Sequence, residues 1–135
     1  MTTDWNLPEV AAGYEDYDPI RERILAYPAI FAALGLGRPE CKTVLDYCCG
    51  TGRVAELITE SYDVSVIAAD ISTAMLAVAR RERSHPRISY QRIGTDQRIE
   101  VAPDSVDAAL SSFVFVTITD VRIIRAIVEE VFRTL

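Results

Sequence analysis

Two carboxylates and two glycines carry the chemistry that this sequence can do. They begin in the run Val44-Leu45-Asp46-Tyr47-Cys48-Cys49-Gly50-Thr51-Gly52-Arg53, where an apolar, β-branched stretch ends in a tight loop. Gly50 and Gly52 remove two side chains, so the backbone can approach a ligand closely. A helix that opens after the loop offers free N–H donors. The sub-pattern Gly50-x-Gly52-x-x-Ala55 also satisfies the dinucleotide fingerprint, which taken alone is a weak signal. Asp46 sharpens it. A carboxylate directly before the loop repels a pyrophosphate and attracts a ligand with an ammonium group and a sulfonium. Asp70 follows 24 residues later, at the end of the next apolar run, where an acid can accept both hydroxyls of a ribose.

These residues need strands and helices to hold them. Thr43–Tyr47 reads as a first strand, and Arg53–Ser61 as a helix with Val54, Leu57 and Ile58 on one face. Residues 64–69 form a second strand ending at Asp70. Ser72 caps a helix through Arg81. Residues 87–93 alternate as a third strand, and Val106–Val116 reads as a fourth, deeply buried and apolar on both faces. Asp120 caps a last helix with the stripe Ile123, Ile124, Ile127, Val128, Val131 and Phe132. Upstream, residues 1–18 are polar and aromatic, with Trp5, Tyr14 and Tyr17 among acids. Residues 19–36 read as one or two short helices through Ile20, Ile24, Tyr27, Ile30, Phe31 and Leu34, broken or restarted at Pro28 and ended by Gly35 and Gly37. Alternating strands and helices predict an α/β fold with a parallel sheet and ligands at the carboxyl ends of the strands.

The motifs, in this order, resemble those of class I S-adenosylmethionine-dependent methyltransferases. Leu45-Asp46-Tyr47-Cys48-Cys49-Gly50-Thr51-Gly52 is similar to motif I, usually Leu-Asp-x-Gly-Cys-Gly-Thr-Gly. Ala69-Asp70-Ile71-Ser72-Thr73-Ala74-Met75-Leu76 resembles the following Asp-x-Ser-x-x-Met-Leu motif. Gly94-Thr95-Asp96 resembles the third-strand Gly-Asp-Ala segment, and Pro103-Asp104-Ser105-Val106-Asp107 the lead into strand four. Glu129–Leu135 resembles the helix before a Lys-Pro-Gly-Gly turn. The resemblance covers roughly residues 40–135. It implies a Rossmann-like parallel sheet of strand order 3-2-1-4 with helices on both faces. It also implies S-adenosylmethionine as cofactor, S-adenosylhomocysteine as product, and methyl transfer to a small-molecule acceptor.

The resemblance assigns roles residue by residue. Asp46, Cys48, Gly50 and Gly52 belong to the loop at the methionine end. Asp70 takes the ribose hydroxyls, and Ile71 and Met75 pack near the adenine. Asp96 faces the adenine amino group, with Gln97 beside it through its backbone. Ser112 and Phe113 lie near the sulfur and the acceptor. Residues 1–38 form a helical segment that serves as a lid, with Tyr14 touching the cofactor, and residues 39–135 form the cofactor-binding domain. No catalytic residue is assigned, because the sulfonium is already a good leaving group and the protein mainly aligns the partners. Cys48 stands where the family has its first glycine, and the expectation is a backbone there that is not glycine-only.

Composition bounds the alternatives. With 135 residues there is room for one domain, and 14 Lys and Arg against 20 Asp and Glu leave a formal charge of −6. An acidic chain without a basic stripe argues against nucleic acid as substrate. Arg80, Arg81 and Arg83 read as the solvated end of a helix. No stretch reaches the roughly 20 apolar residues of a membrane span. Cys41, Cys48 and Cys49 lack zinc or disulfide spacing, so a reduced cytoplasmic protein without a metal is expected, with Cys48 and Cys49 as packing residues. His85, in Ser84-His85-Pro86, reads as a loop residue.

The chain ends before the glycine turn and before strands five to seven of the resembled fold. The expectations are therefore a homodimer or a missing C-terminal segment covering strand four, and weak methyl transfer in this form. The alternative is a cofactor-binding fragment without turnover.

Overall fold

The computed structural model describes residues 3–16 and 26–135. The expectations placed on Tyr17, Ile20 and Ile24 lie outside the described residues. The chain order is α1 (Pro8–Glu15), α2 (Tyr27–Ala33), β1 (Thr43–Tyr47), α3 (Arg53–Ser61), β2 (Ser65–Asp70), α4 (Thr73–Glu82), β3 (Ile88–Arg92), β4 (Ala108–Leu110) and α5 (Val121–Thr134). Among the described residues the sheet has four strands in the order β3-β2-β1-β4, and every pairing is parallel. Side chains alternate across it. Val44, Val66, Ala68, Ala108 and Leu110 pack with Ala55 and Ile58 of α3 and Leu76 of α4. Leu45, Tyr47 and Ala69 pack on the other face with Ile127 of α5, Ile99 and Val106.

The elements begin and end where local chemistry directs. Ser72 caps α4 by accepting the Met75 N–H at 3.1 Å, and Asp120 caps α5 by accepting the Arg122 N–H at 2.9 Å. Pro28 lies in the first turn of α2, where its missing N–H costs nothing, so it marks a start and not a break. Gly35, at φ +71, follows the C-cap of that helix.

Residues 1–18 contain a helix, α1, whose periodicity is faint because Ala11 is the only residue it buries. One expectation about the sheet is corrected: strand four is three residues long, not eleven. Its pairing with β1 begins where Asp107 accepts the N–H groups of Lys42 and Thr43, both at 2.8 Å. It ends after Leu110, opposite Asp46, because β1 then turns into the loop. The apolar residues beyond leave the sheet: Phe113 takes φ +59, Thr117 N–H closes a turn onto Val114, and Val116 is 82 % exposed. The stripe on α5 is likewise only partly buried. Ile127, Glu130 and Thr134 face inward, while Val128 and Phe132 face out, Phe132 at 78 % exposure.

Candidate functional site

The site is built where β1 and β2 end. Three residues of the loop take left-handed backbone: Cys48 (φ +65), Gly50 (φ +55) and Gly52 (φ +83). The expectation for Cys48 is thereby overturned. The cysteine occupies the conformation that glycine prefers, at a cost on the order of 1 kcal/mol. The surroundings hold it there. Cys49 N–H donates to the Ala69 carbonyl at 2.9 Å, Gly52 N–H to the Cys49 carbonyl at 2.9 Å, and Gly50 N–H to Asp70 Oδ2 at 2.8 Å.

Asp70 is thus a strut as well as a candidate ligand. Its other oxygen, Oδ1, accepts the Ser72 N–H at 2.8 Å. Burial raises its pKa, against the N–H groups of Ser72, Gly50 and Ile71, which lower it. The carboxylate keeps acceptor capacity beyond these N–H groups for a hydroxyl.

Asp46 is the anomaly of the structure. It is 1 % exposed, and its Oδ2 has no hydrogen-bond partner among the described residues. Burial, and then the negative charge of Asp70, push its pKa up to about 7, while the Ala55 N–H at the start of α3 opposes them. A carboxylate left short of a partner in the interior is expensive unless a ligand or a proton completes it.

Asp46 lines an open cleft with Cys48, Cys49, Gly50 and Thr51 of the loop. Arg53, Val54 and Leu57 of α3 form one wall, and Ser112 and Phe113 beyond β4 form another. Tyr14 of α1 and Tyr27 of α2 complete the lining. Of the residues singled out by sequence, the cleft brings together Tyr14, Asp46, Cys48, Gly50, Ser112 and Phe113. Gly52, Asp70, Ile71, Met75, Asp96 and Gln97 do not line it. A Cβ on Gly52 would sit 2.6 Å from the Tyr90 hydroxyl, so that glycine makes room for a tyrosine. Met75 is buried with Ala11 and Val78, under α1. Ile71 is partly exposed beside Asp70. Asp96 accepts the Arg98 N–H at 3.1 Å, and Gln97 offers its carbonyl to the Tyr47 hydroxyl. His85 accepts the Arg87 N–H in its loop at 3.1 Å.

Sequence missed an ion-pair cluster that ties α1 to α3 and to the loop. Arg83, read as solvated, has a side chain only 11 % exposed. It meets Glu15 of α1 at 2.5 Å, Glu56 of α3 at 2.9 Å and the Thr51 carbonyl of the loop at 3.1 Å. Arg53 also pairs with Glu15, at 3.5 Å, and donates to the Glu15 carbonyl. These guanidinium groups hold the Glu15 carboxyl below its usual range against the opposing effect of burial. Further along, the Ser72 hydroxyl donates to the Trp5 carbonyl at 2.5 Å, and Trp5 meets Tyr14 edge to face at 6.3 Å. No local signal marks Arg83, because its partner Glu15 lies 68 residues away.

The geometry is that of a strand-end ligand site in an open α/β sheet, and the comparisons with known proteins agree. The chain belongs to the methyltransferase domain family, whose model matches residues 44–135. N-demethylindolmycin N-methyltransferase of Streptomyces griseus is 32% identical over 124 residues, which is 89% of this chain and 52% of that protein. Trans-aconitate 2-methyltransferase of Variovorax paradoxus is 34% identical over 106 residues, 78% of this chain and 38% of that one. The chain therefore spans about half or less of the curated relatives it matches. Among solved structures, a SAM dependent methyltransferase from Aquifex aeolicus superposes with TM-score 0.72 at 19% identity, covering 95% of this chain and 66% of that one, which speaks to the fold. An S-adenosylmethionine dependent methyltransferase from Mesorhizobium loti superposes with TM-score 0.58 at 28% identity, covering 79% and 49%.

Proposed function

We propose that this domain binds S-adenosylmethionine at the Asp46–Gly52 loop and serves the transfer of its methyl group to a small-molecule acceptor. The observation that carries the proposal is Asp46, a buried carboxylate with an oxygen left over, facing a cleft beside a glycine loop. A ligand with an ammonium group supplies the missing partner, and a pyrophosphate does not. When bound, the cofactor supplies a methyl group activated by its sulfonium. The chain's own residues do the rest. Asp46 holds the ammonium end, and Gly50 keeps the loop open to it. Asp70 offers its remaining lone pairs to the ribose. Ile71 and Met75 pack near the adenine, and Asp96 and Gln97 face it. Ser112 and Phe113 face the acceptor.

Residues 1–38 serve as the lid. Supporting this are Tyr14 in the cleft and the attachment of α1 to both α3 and α4 through Glu15. The net charge of −6 supports a small acceptor over nucleic acid. Three free cysteines fit a reducing cytoplasm. No described helix is long and apolar enough to cross a membrane.

Calorimetric titration with S-adenosylmethionine, S-adenosylhomocysteine and NAD tests the reading. The first two should bind and NAD should not. Asp70→Ala should weaken S-adenosylhomocysteine by about 1.5–3 kcal/mol, roughly tenfold to a hundredfold, by removing hydrogen bonds to a charged acceptor. NAD binding in place of the other two, or unchanged affinity in Asp70→Ala, would sink the respective assignment.

We also propose that the far side of β4 is covered by a second copy of the chain. Among the described residues β4 pairs on one side only, with β1, and Phe115 and Val116 after it and Val128 and Phe132 of α5 are exposed. Natural sheets do not leave such edges bare. Sedimentation equilibrium should report twice the mass of one chain, and a stable monomer would refute this.

A further inference from the structure

Asp46 and Tyr47, neighbours at the end of β1, point to opposite faces of the sheet, as strand geometry requires. Asp46 faces the cleft. Tyr47 lies on the α5 side, fully buried among Leu45, Ile99 and Ile127. Its hydroxyl donates to the Gln97 carbonyl at 2.8 Å. Gln97 stands at φ +67, a backbone that a non-glycine residue keeps only where its surroundings hold it.

The rest of that loop is tied as closely. Gln97 N–H donates to the Gly94 carbonyl at 2.9 Å, and Gly94 N–H to the Arg98 carbonyl at 2.8 Å. Glu130 of α5, only 3 % exposed, accepts the Ile99 N–H at 2.9 Å and the Arg98 guanidinium at 3.0 Å. Arg133 fixes Glu130 in turn, through contacts of 2.7 and 2.8 Å. Neither Tyr47 nor Glu130 lines the cleft.

We infer that Tyr47 and Glu130 are positioning residues that give the site its selectivity for an adenine base, by holding the Asp96 carboxylate and the Gln97 backbone in one register. The inference rests on the cofactor reading above, in which Asp96 and Gln97 receive the adenine. A base edge is read by donors and acceptors whose spacing must be right to a few tenths of an ångström. A loop containing a left-handed Gln97 relaxes once the hydroxyl that holds its carbonyl is gone. Discrimination between bases then fails, while contacts at the methionine end, which depend on Asp46 and Gly50, persist.

The test titrates the unaltered chain, Tyr47→Phe and Glu130→Gln with S-adenosylhomocysteine and with S-inosylhomocysteine, in which an oxo group replaces the adenine amino group. The unaltered chain should prefer the adenine ligand by about tenfold or more, one good hydrogen-bonded contact. Each variant should lose most of that preference, because the adenine ligand weakens while the inosine ligand stays within about twofold. Equal weakening of both ligands, or an unchanged preference, overturns the inference. An unaltered chain that binds neither ligand overturns the cofactor reading instead. Glu130→Gln keeps the side-chain shape and carries the test alone should Tyr47→Phe fail to fold.

Discussion

Asp46→Asn should make the unliganded protein more stable and the site useless. Burial, and then the charge of Asp70, push the Asp46 carboxyl up to about 7 in the fold, from an ordinary carboxylate value of 3.8. A carboxyl whose folded pKa lies above its unfolded pKa favours folding at low pH. That contribution is lost as pH rises from about 4 to about 7, where the folded state must bury the charge. At pH 8 the penalty is at most on the order of 4 kcal/mol, from about three pKa units at 1.36 kcal/mol each. Relieving even half of it with a neutral amide should raise Tm by roughly 4–8 °C at pH 8 and change little near pH 4. The same substitution removes the partner of the ligand's ammonium group, and binding of S-adenosylhomocysteine should fall about a hundredfold or more. In the unaltered chain, affinity should rise about eightfold between pH 6 and pH 7.5, as the binding-competent ionised fraction grows, and Asp46→Asn should flatten that rise. Thermal melts and titrations at these pH values check both halves. A variant that melts lower at pH 8, or binds as well as the unaltered chain, refutes the role given to Asp46.

Gly50→Val should abolish ligand binding. The local space is not the first obstacle, since a Cβ on Gly50 would meet only Tyr14 Cε1, at 3.8 Å. The two further methyl groups would enter the cleft, and a β-branched residue resists φ +55. Sequence alone suggests an intact fold for this variant. The structure adds a backbone cost of about 1–2 kcal/mol, visible as a lower Tm. Gly50→Ala bears much of the same backbone cost with less intrusion, so it separates the two effects. It should melt almost as low as Gly50→Val while retaining measurable affinity. Normal binding by Gly50→Val would place the ligand elsewhere.

The elements of the sheet were legible where a local rule sufficed. Ser72 and Asp120 announce their helices because a cap is a contact between residues two or three apart. β1 and α3 are readable because a buried parallel strand is a short apolar run and a surface helix has one apolar face. The same rule failed for Val106–Val116. Its composition resembles a central strand, but a strand exists only as far as its partner runs, and β1 supplies a partner for three residues. Periodicity also showed little of α1, which buries Ala11 against Met75 and Val78 and pairs Glu15 with Arg53 and Arg83 from far along the chain.

By itself, then, the sequence determined the class of fold and the positions of Asp46, Gly50 and Asp70, because strand, loop, cap and spacing are encoded within a few residues of one another, while the strand order followed from the resemblance of its motifs to a known family. Tertiary structure decided what those residues experience. It buried Asp46 without a full set of partners, tied both oxygens of Asp70 to the loop and the next helix, and put Cys48 into a glycine's conformation. It moved Arg83 from solvent into an ion-pair cluster with Glu15 and Glu56, and set the Tyr47 hydroxyl against a carbonyl 50 residues further on. The reason is physical. Propensity and periodicity act through neighbours along the chain, whereas desolvation, charge coupling and hydrogen-bond completion depend on what the fold brings alongside from far away in the sequence.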